Sequence, residues 1–169
     1  SAILLTTSIE FAQKVQTIVS KRYPSLERSE ILSISLAEGS GIVLVDNLKQ
    51  AFDVANTYAP EHLCLLIENA FQWIGSVQNA GGVFVGEQSY EVLGDYVAGP
   101  SHSMPTGGSA RFASPLNVLD FVKIVSLIGL TGEAARELSQ QAAILARAEH
   151  LTGHPAAAEA RIIDRQTTL

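Results

Sequence analysis

The chain has 169 residues, of which 47% are hydrophobic and 17% are charged, and its net charge is −6. This composition suits one folded domain with room for an appendage, and it excludes extensive disorder. Because phosphate binding needs a basic patch and the chain has no basic run, no nucleic-acid partner is expected. No stretch approaches the roughly 18 apolar residues of a membrane span, so no membrane partner is expected.

The only cysteine, Cys64, lies inside the apolar run HLCLLI, which predicts a small buried hydrophobic residue. Because one cysteine makes no internal disulfide, the composition fits the reducing cytoplasm. The chain opens on SAILLTT, without an initiator methionine and already inside a predicted strand. This opening is typical of a piece of a longer protein, whether cut by design or by a protease.

Strands and helices alternate along residues 1–114. Helices are predicted from Thr7 to about residue 23, from about 47 to 58, and over NAFQWIGSV, and the four predicted strands are AILLTT, SGIVLVDN, HLCLLI and GGVFVG. Continuous apolar strands that alternate with helices indicate a parallel sheet covered on both faces. The predicted fold class is therefore α/β, a partial Rossmann-like parallel-sheet domain over 1–114 followed by a small all-helical tail over 115–169.

The tail contains three predicted helices. One covers PLNVLDFVKIVSLIG after an N-cap at Ser114, a second follows Thr131 and ends near Glu149, and a third opens at His154. A three-helix piece of roughly 55 residues buries too little apolar surface to be stable alone. We therefore expect the tail to pack on another domain or another subunit.

Two places carry candidate chemistry. Glu61 and His62 lie side by side between Pro60 and a predicted strand, and such a pair can act as general base and proton relay. Residues 87–114 form a loop too long for a simple connection, and it carries Asp95 and His102. Simpler explanations stay open. Glu61 and His62 could be a cap or a surface pair, Asp95 could form a turn, and His102 could be a loop histidine that bonds its own backbone.

Motif spacing alone supports neither a metal site nor a nucleotide site strongly. His154 resembles an N-cap, and the chain has neither HExxH nor a CxxC pair, although aspartate and histidine are zinc ligand types. EGSGIV lacks the third glycine of a dinucleotide fingerprint and precedes its strand. PTGGS lacks the GK[ST] of a phosphate loop.

Three segments together carry a family resemblance. YAPEHLCL, GDYVAGPSHSMPTGGSARFASPLNVLDFVK and AEHLTGHPAAAEAR, in this order and spacing, closely resemble histidinol dehydrogenase, the zinc enzyme that completes histidine biosynthesis. The resemblance is colinear over essentially the whole chain. It covers only the C-terminal portion of the family, somewhat under half of its length.

The resemblance implies two successive oxidations, of L-histidinol to the aldehyde and then to L-histidine, with two NAD consumed. It implies that Glu61 activates the water that hydrates the aldehyde and that His62 accepts protons. Zinc would act mainly as a template for the substrate. The implied zinc ligands in this chain are Asp95 and His154, and the implied substrate-binding residues are His62, Asp95, His102, Glu149 and His154.

The resemblance also implies what this chain lacks. The family's other two zinc ligands and its NAD-contacting residues correspond to positions before Ser1, so no cofactor-binding residue for NAD is expected here, and the isolated chain is predicted to be inactive. The tail is similar to a segment that reaches across a homodimer, so Glu149 and His154 would serve the partner subunit. The alternative is a non-catalytic dimerisation or interaction module derived from this fold.

Overall fold

The structure is a computed structural model, and it describes residues 1–162. Backbone contacts divide the chain into two compact units, Ser1–Val122 and Lys123–Leu169. The predicted division of roles at residue 114 stays a prediction. In the part of the chain that is described, no helix is both long and apolar enough to cross a bilayer.

The first unit alternates short strands with helices, which confirms the α/β class. Its elements are β1 (Ile3–Thr6), α1 (Ile9–Arg22), a 3-10 turn (Tyr23–Ser25), α2 (Ser29–Glu38), β2 (Gly41–Leu44), α3 (Leu48–Tyr58), β3 (His62–Leu65), a 3-10 helix (Ala70–Ser76), β4 (Gly82–Val85) and α4 (Glu91–Tyr96). Ser8, and not Thr7, caps α1, because its Oγ accepts a hydrogen bond from the Phe11 N–H at 3.1 Å. The sequence pattern does not reveal α2, whose exposed Ile31 and Ile34 mark no single buried face.

The strands form two separate parallel pairs, β1 with β2 and β3 with β4. The expectation of one sheet covered on both faces is therefore wrong for the described residues, and every residue of β2 is exposed. An apolar run shows that a strand tolerates burial, but it does not show which strand lies beside it. The parallel direction of both pairs agrees with the prediction.

The β3–β4 pair has two different faces. Leu65 packs with Phe52 and Ala70 in the core, and the partly buried residues around them are Leu63, Ile67, Trp73, Val77 and Val85. Because side chains alternate along a strand, His62 and Cys64 lie on the opposite face from the leucines. The predicted burial of Cys64 is wrong, since its side chain is exposed on that face.

Asn56 on α3 holds the turn that leads into β4. Its Oδ1 accepts hydrogen bonds from the backbone N–H groups of Gln78 and Asn79 at 2.8 and 3.2 Å. Its Nδ2 donates to the Ser76 carbonyl at 2.9 Å. These bonds fix the chain immediately before β4, so that Gly82 pairs with His62 at the start of both strands.

A 3-10 turn (Val118–Phe121) ends the first unit, and the second unit contains α5 (Gly132–Ala148) and α6 (Gly153–Glu159). The helix predicted over 115–129 is wrong, because only this turn is helical there. Asn117 and Asp120 close a capping box around the turn. The apolar side chains beyond it find no packing surface in the described structure: Ile124 is 88% exposed and Leu127 is 95% exposed. Without burial, the β-branched residues of this stretch do not favour a helix.

Candidate functional site

The imidazole of His62 lies between two carboxylates of α4. Its Nε2 is 3.3 Å from Asp95 Oδ1, and its Nδ1 is 3.8 Å from Glu91 Oε1. The ring also packs against Phe84, with ring centroids 5.7 Å apart. The His62 side chain is only 20% exposed. The structure therefore brings together two of the predicted site residues, His62 and Asp95, and adds Glu91.

A close contact at Gly94 explains how α4 reaches His62. A Cβ at this position would lie 2.4 Å from Cε1 of the Phe84 ring, so only glycine lets α4 approach β4 so closely. Glu91 and Asp95 are four residues apart and lie on one face of the helix. The chain leaves β4 at its carboxyl end, and α4 then returns Asp95 to the start of β3. The predicted loop over 87–114 thus contains a helix, and this helix places Asp95 beside His62.

Glu61 lies one residue before β3 and is half-buried. Its carbonyl accepts the Gly82 N–H at 2.7 Å, and the preceding Pro60 carbonyl accepts the Gly81 N–H at 2.9 Å. These two bonds extend the pairing of the strands beyond β3, so they hold the backbone of Glu61 in place. The cap or surface-pair explanation for Glu61 and its predicted catalytic role both stay predictions.

The segment after His102 covers the start of β4. Cβ atoms built on Gly81 and Gly82 would lie 3.2 and 2.8 Å from side-chain atoms of Met104. His102 itself is exposed, and no hydrogen bond in the described structure joins its ring to the His62 cluster. A role for His102 in substrate binding remains a prediction.

Glu149 and His154 belong to the second unit. Glu149 is the C-cap of α5, and His154 lies in the first turn of α6; both are exposed. Between them, His150 adopts a left-handed conformation (φ 59°) and ends α5. The predicted sharing of a metal by Asp95 and His154 stays a prediction.

Glu91 is the site residue that motif reasoning missed. One ligand atom each from His62, Glu91 and Asp95 lies within 4.8 Å of the others. Histidine nitrogen and carboxylate oxygen are ligand types that zinc accepts, so the described residues include a possible cation-binding cluster. The available signal was the EVLGD spacing, which puts two carboxylates on one helical face as soon as a helix is recognised there.

The pKa of the Cys64 thiol depends on the charge of Glu91. Partial loss of water around the sulfur raises its pKa first, and the negative charge of Glu91 raises that pKa further. We expect Glu91→Gln to lower the pKa of Cys64 and to speed its alkylation by iodoacetamide about two- to threefold near neutral pH. Glu87→Gln, which changes an exposed glutamate after β4, is the matched control. An unchanged alkylation rate in Glu91→Gln would contradict the proximity of the two groups.

Comparison with known proteins identifies relatives over almost the whole chain. Residues 1–162 match the family model described as Histidinol dehydrogenase. The chain is 49% identical over 154 residues to a histidinol dehydrogenase of Caldanaerobacter subterraneus subsp. tengcongensis, covering 91% of this chain and 36% of that protein. A histidinol dehydrogenase of Thermus thermophilus is 49% identical over 151 residues, which cover 89% of this chain and 36% of that protein.

A crystal structure of histidinol dehydrogenase from Elizabethkingia anophelis has a similar fold. The TM-score is 0.84 at 34% identity, and the match covers 95% of this chain and 37% of that one. The chain therefore spans little more than a third of the length of these relatives.

Proposed function

Because this chain belongs to the histidinol dehydrogenase family, we propose that it supplies the acid–base residues for the oxidation of L-histidinol to L-histidine. The observation that carries this proposal is the position of His62, half-buried beside Glu61 and 3.3 Å from Asp95. A base held in a partly dry position with a carboxylate neighbour suits proton abstraction from an alcohol.

The two oxidations need two different proton transfers. In each oxidation, the carbon that bears the hydroxyl loses a hydride, which NAD accepts when bound, and the hydroxyl loses a proton, which His62 takes. Between the oxidations, Glu61 removes a proton from the water that adds to the aldehyde. The N–H groups of Gly81 and Gly82 donate hydrogen bonds to the carbonyls of Pro60 and Glu61. These bonds hold the backbone from which the Glu61 and His62 side chains extend.

The residues of this chain fit a zinc site that is completed elsewhere. Within residues 1–162, His62 is the one side chain within hydrogen-bond range of the Asp95 carboxylate, so further oxygen lone pairs remain for a cation. We propose that Asp95 and His154 ligate zinc, while His102 and Glu149 contact the substrate. When bound, zinc would hold the substrate's imidazole and amine in position.

The proposal leaves the NAD site and two zinc ligands to residues outside this chain. Large apolar side chains are exposed in the described structure, among them Phe112 at 86% and Leu127 at 95%. Exposed apolar residues of this kind are typical of a surface that contacts another protein segment. We propose that the upstream portion of a longer chain and a second subunit cover these residues, with the tail exchanged in a homodimer. The single reduced cysteine suits the cytoplasm.

A hybrid protein tests this function. We would join the upstream portion of the Caldanaerobacter relative to this chain and measure NADH formation with L-histidinol and zinc. We expect the hybrid to form two NADH per histidinol and the isolated chain to form none. In the Glu61→Gln hybrid, the aldehyde should accumulate, because only the second oxidation needs an activated water.

Two results of this experiment would contradict the proposal. NADH formation by the isolated chain would show that the upstream portion is unnecessary. The second result is a hybrid that is folded by circular dichroism and dimeric by sedimentation but forms no NADH at any histidinol concentration in the presence of zinc. This result would favour the non-catalytic dimerisation module.

A further inference from the structure

We propose that Met104 is a positioning residue that anchors the segment carrying His102 to the start of β4. The inference rests on the proposed function, in which His102 contacts the substrate. It assigns a role to the only methionine of the chain.

The side chain of Met104 lies on two consecutive glycines at the start of β4. A Cβ built on Gly82 would lie 2.8 Å from both Sδ and Cε of Met104, and one built on Gly81 would lie 3.2 Å from its Cβ. Cβ atoms essentially never approach other heavy atoms to under 3.0 Å. Met104 therefore occupies the space that a side chain at position 82 would need.

This glycine surface is joined directly to the candidate site. Gly82 donates its N–H to the Glu61 carbonyl at 2.7 Å, and it is the register partner of His62. Residues two apart along a strand share a face, so Phe84 lies on the same face as the space over Gly82. The Phe84 ring also packs on His62. Met104 is thus seated on the face of the strand pair that carries His62.

Few other contacts fix the chain on the N-terminal side of Met104. Within residues 1–162, no backbone hydrogen bond joins residues 99–102 to either strand of the pair. The Ser103 carbonyl accepts the Leu116 N–H at 3.0 Å, which ties the segment to the chain that follows it and not to the strands. His102 is two residues from Met104, so their Cα atoms are at most about 7 Å apart. The seat of Met104 therefore limits where His102 lies relative to the strands.

The chemistry of methionine suits such a seat. Its unbranched, flexible thioether fills irregular gaps and packs well beside aromatic rings such as that of Phe84. Met104→Ala would empty the seat but leave the hydrogen bonds between the strands in place, so the fold should persist. His102 would then be mobile before substrate binds, and its ordering would cost binding free energy.

The first test observes the anchor in this chain, without cofactor or substrate. Because the chain has one methionine, methyl-labelled methionine gives a single methyl signal in NMR spectra. We expect a nuclear Overhauser effect between the Met104 methyl group and the α protons of Gly82. We also expect a backbone order parameter for His102 of about 0.85 in the parent chain and below about 0.6 in Met104→Ala. Equal order parameters in the two proteins, or no Overhauser effect, would overturn the inference.

A second variant disturbs the same contact from the strand side. Gly82→Ala puts a methyl group where Sδ and Cε of Met104 lie, and the flexible end of the methionine can move aside. The order parameter of His102 should therefore fall in Gly82→Ala as well. Met104→Leu refills the seat with a side chain of similar volume and should keep the parent value. Gly75→Ala is the control, because a Cβ there meets nothing within 4 Å.

The kinetic test uses the hybrid protein with L-histidinol. We expect Met104→Ala to raise KM about three- to tenfold, the usual cost of ordering one side chain, while kcat stays within about twofold. A loss of folded protein would instead lower the apparent kcat and leave KM unchanged. The effects of Met104→Ala and Gly82→Ala on KM should not add in the double variant, because both remove the same contact.

The outcomes separate this inference from the proposed function. If the parent hybrid is active and Met104→Ala has the same KM, the positioning role fails while the proposed function stands. Additive effects of the two substitutions on KM would also contradict the shared contact. If the parent hybrid forms no NADH, the proposed function fails, and the order parameter of His102 in this chain decides whether Met104 is the anchor.

Discussion

In the hybrid protein, we expect His62→Asn to lower kcat for histidinol oxidation by about 10²–10⁴-fold, which is the usual contribution of a general base. Asparagine is polar and smaller than histidine, so it fits a half-buried site beside Phe84, but it cannot take a proton at neutral pH. Both oxidations should slow, because the role proposed for His62 is to take a proton in each of them. The measurement is steady-state NADH formation with L-histidinol and, separately, with histidinal.

His150→Asn is the matched control for this substitution. His150 is exposed and has a left-handed backbone conformation (φ 59°), which asparagine adopts readily. The control should therefore keep its fold and its kcat. If His62→Asn retains kcat within about threefold, a single general base at this position is excluded.

Gly81→Ala is expected to destabilise the first unit by about 1–3 kcal/mol, the usual cost of forcing an extra methyl group into a packed site. The new Cβ would lie 2.6 Å from the Glu61 carbonyl oxygen. That oxygen accepts the Gly82 N–H at 2.7 Å, so it cannot move away without breaking a bond between the strands. Pro105 and Met104, at 3.1 and 3.2 Å, close the other sides. Urea unfolding of the chain, followed by circular dichroism, measures the change in free energy.

The same substitution at Gly75 provides the comparison. Gly75 lies in the 3-10 helix before β4, and a Cβ there meets nothing within 4 Å. Gly75→Ala should therefore change the free energy of unfolding by less than about 0.5 kcal/mol. Equal unfolding midpoints for Gly81→Ala and Gly75→Ala would show that a methyl group at position 81 fits beside the Glu61 carbonyl, and would contradict this prediction.

The residues at the candidate site were recognisable because their types are unusual for their positions. Glu61 and His62 interrupt the approach to an apolar strand, and Asp95 follows a glycine in a segment without apolar periodicity. Glu91 had no such mark, since a glutamate near a helix start is common on protein surfaces. Only the helix over Glu91–Tyr96 gives it a place beside His62.

Two of the wrong predictions share one physical origin. The helix expected over 115–129 and the burial expected for Cys64 were both inferred from apolar side chains. Apolar character favours burial wherever a partner surface exists, but it does not supply that surface. In the described residues, Leu127 and the Cys64 side chain have no such cover.

The sequence by itself determined the α/β class, the parallel direction of the strands and the family. It also determined that Glu61 and His62 are candidate site residues. Local propensity, helical spacing and the order of motifs are properties of the chain, so they can be recognised without the structure. Tertiary structure alone decided that the strands form two pairs and that α4 turns back along β4. It also decided that His62 lies between Glu91 and Asp95. These features depend on contacts between distant residues, above all Gly94 against Phe84, and a pattern of neighbouring residues does not encode such distances.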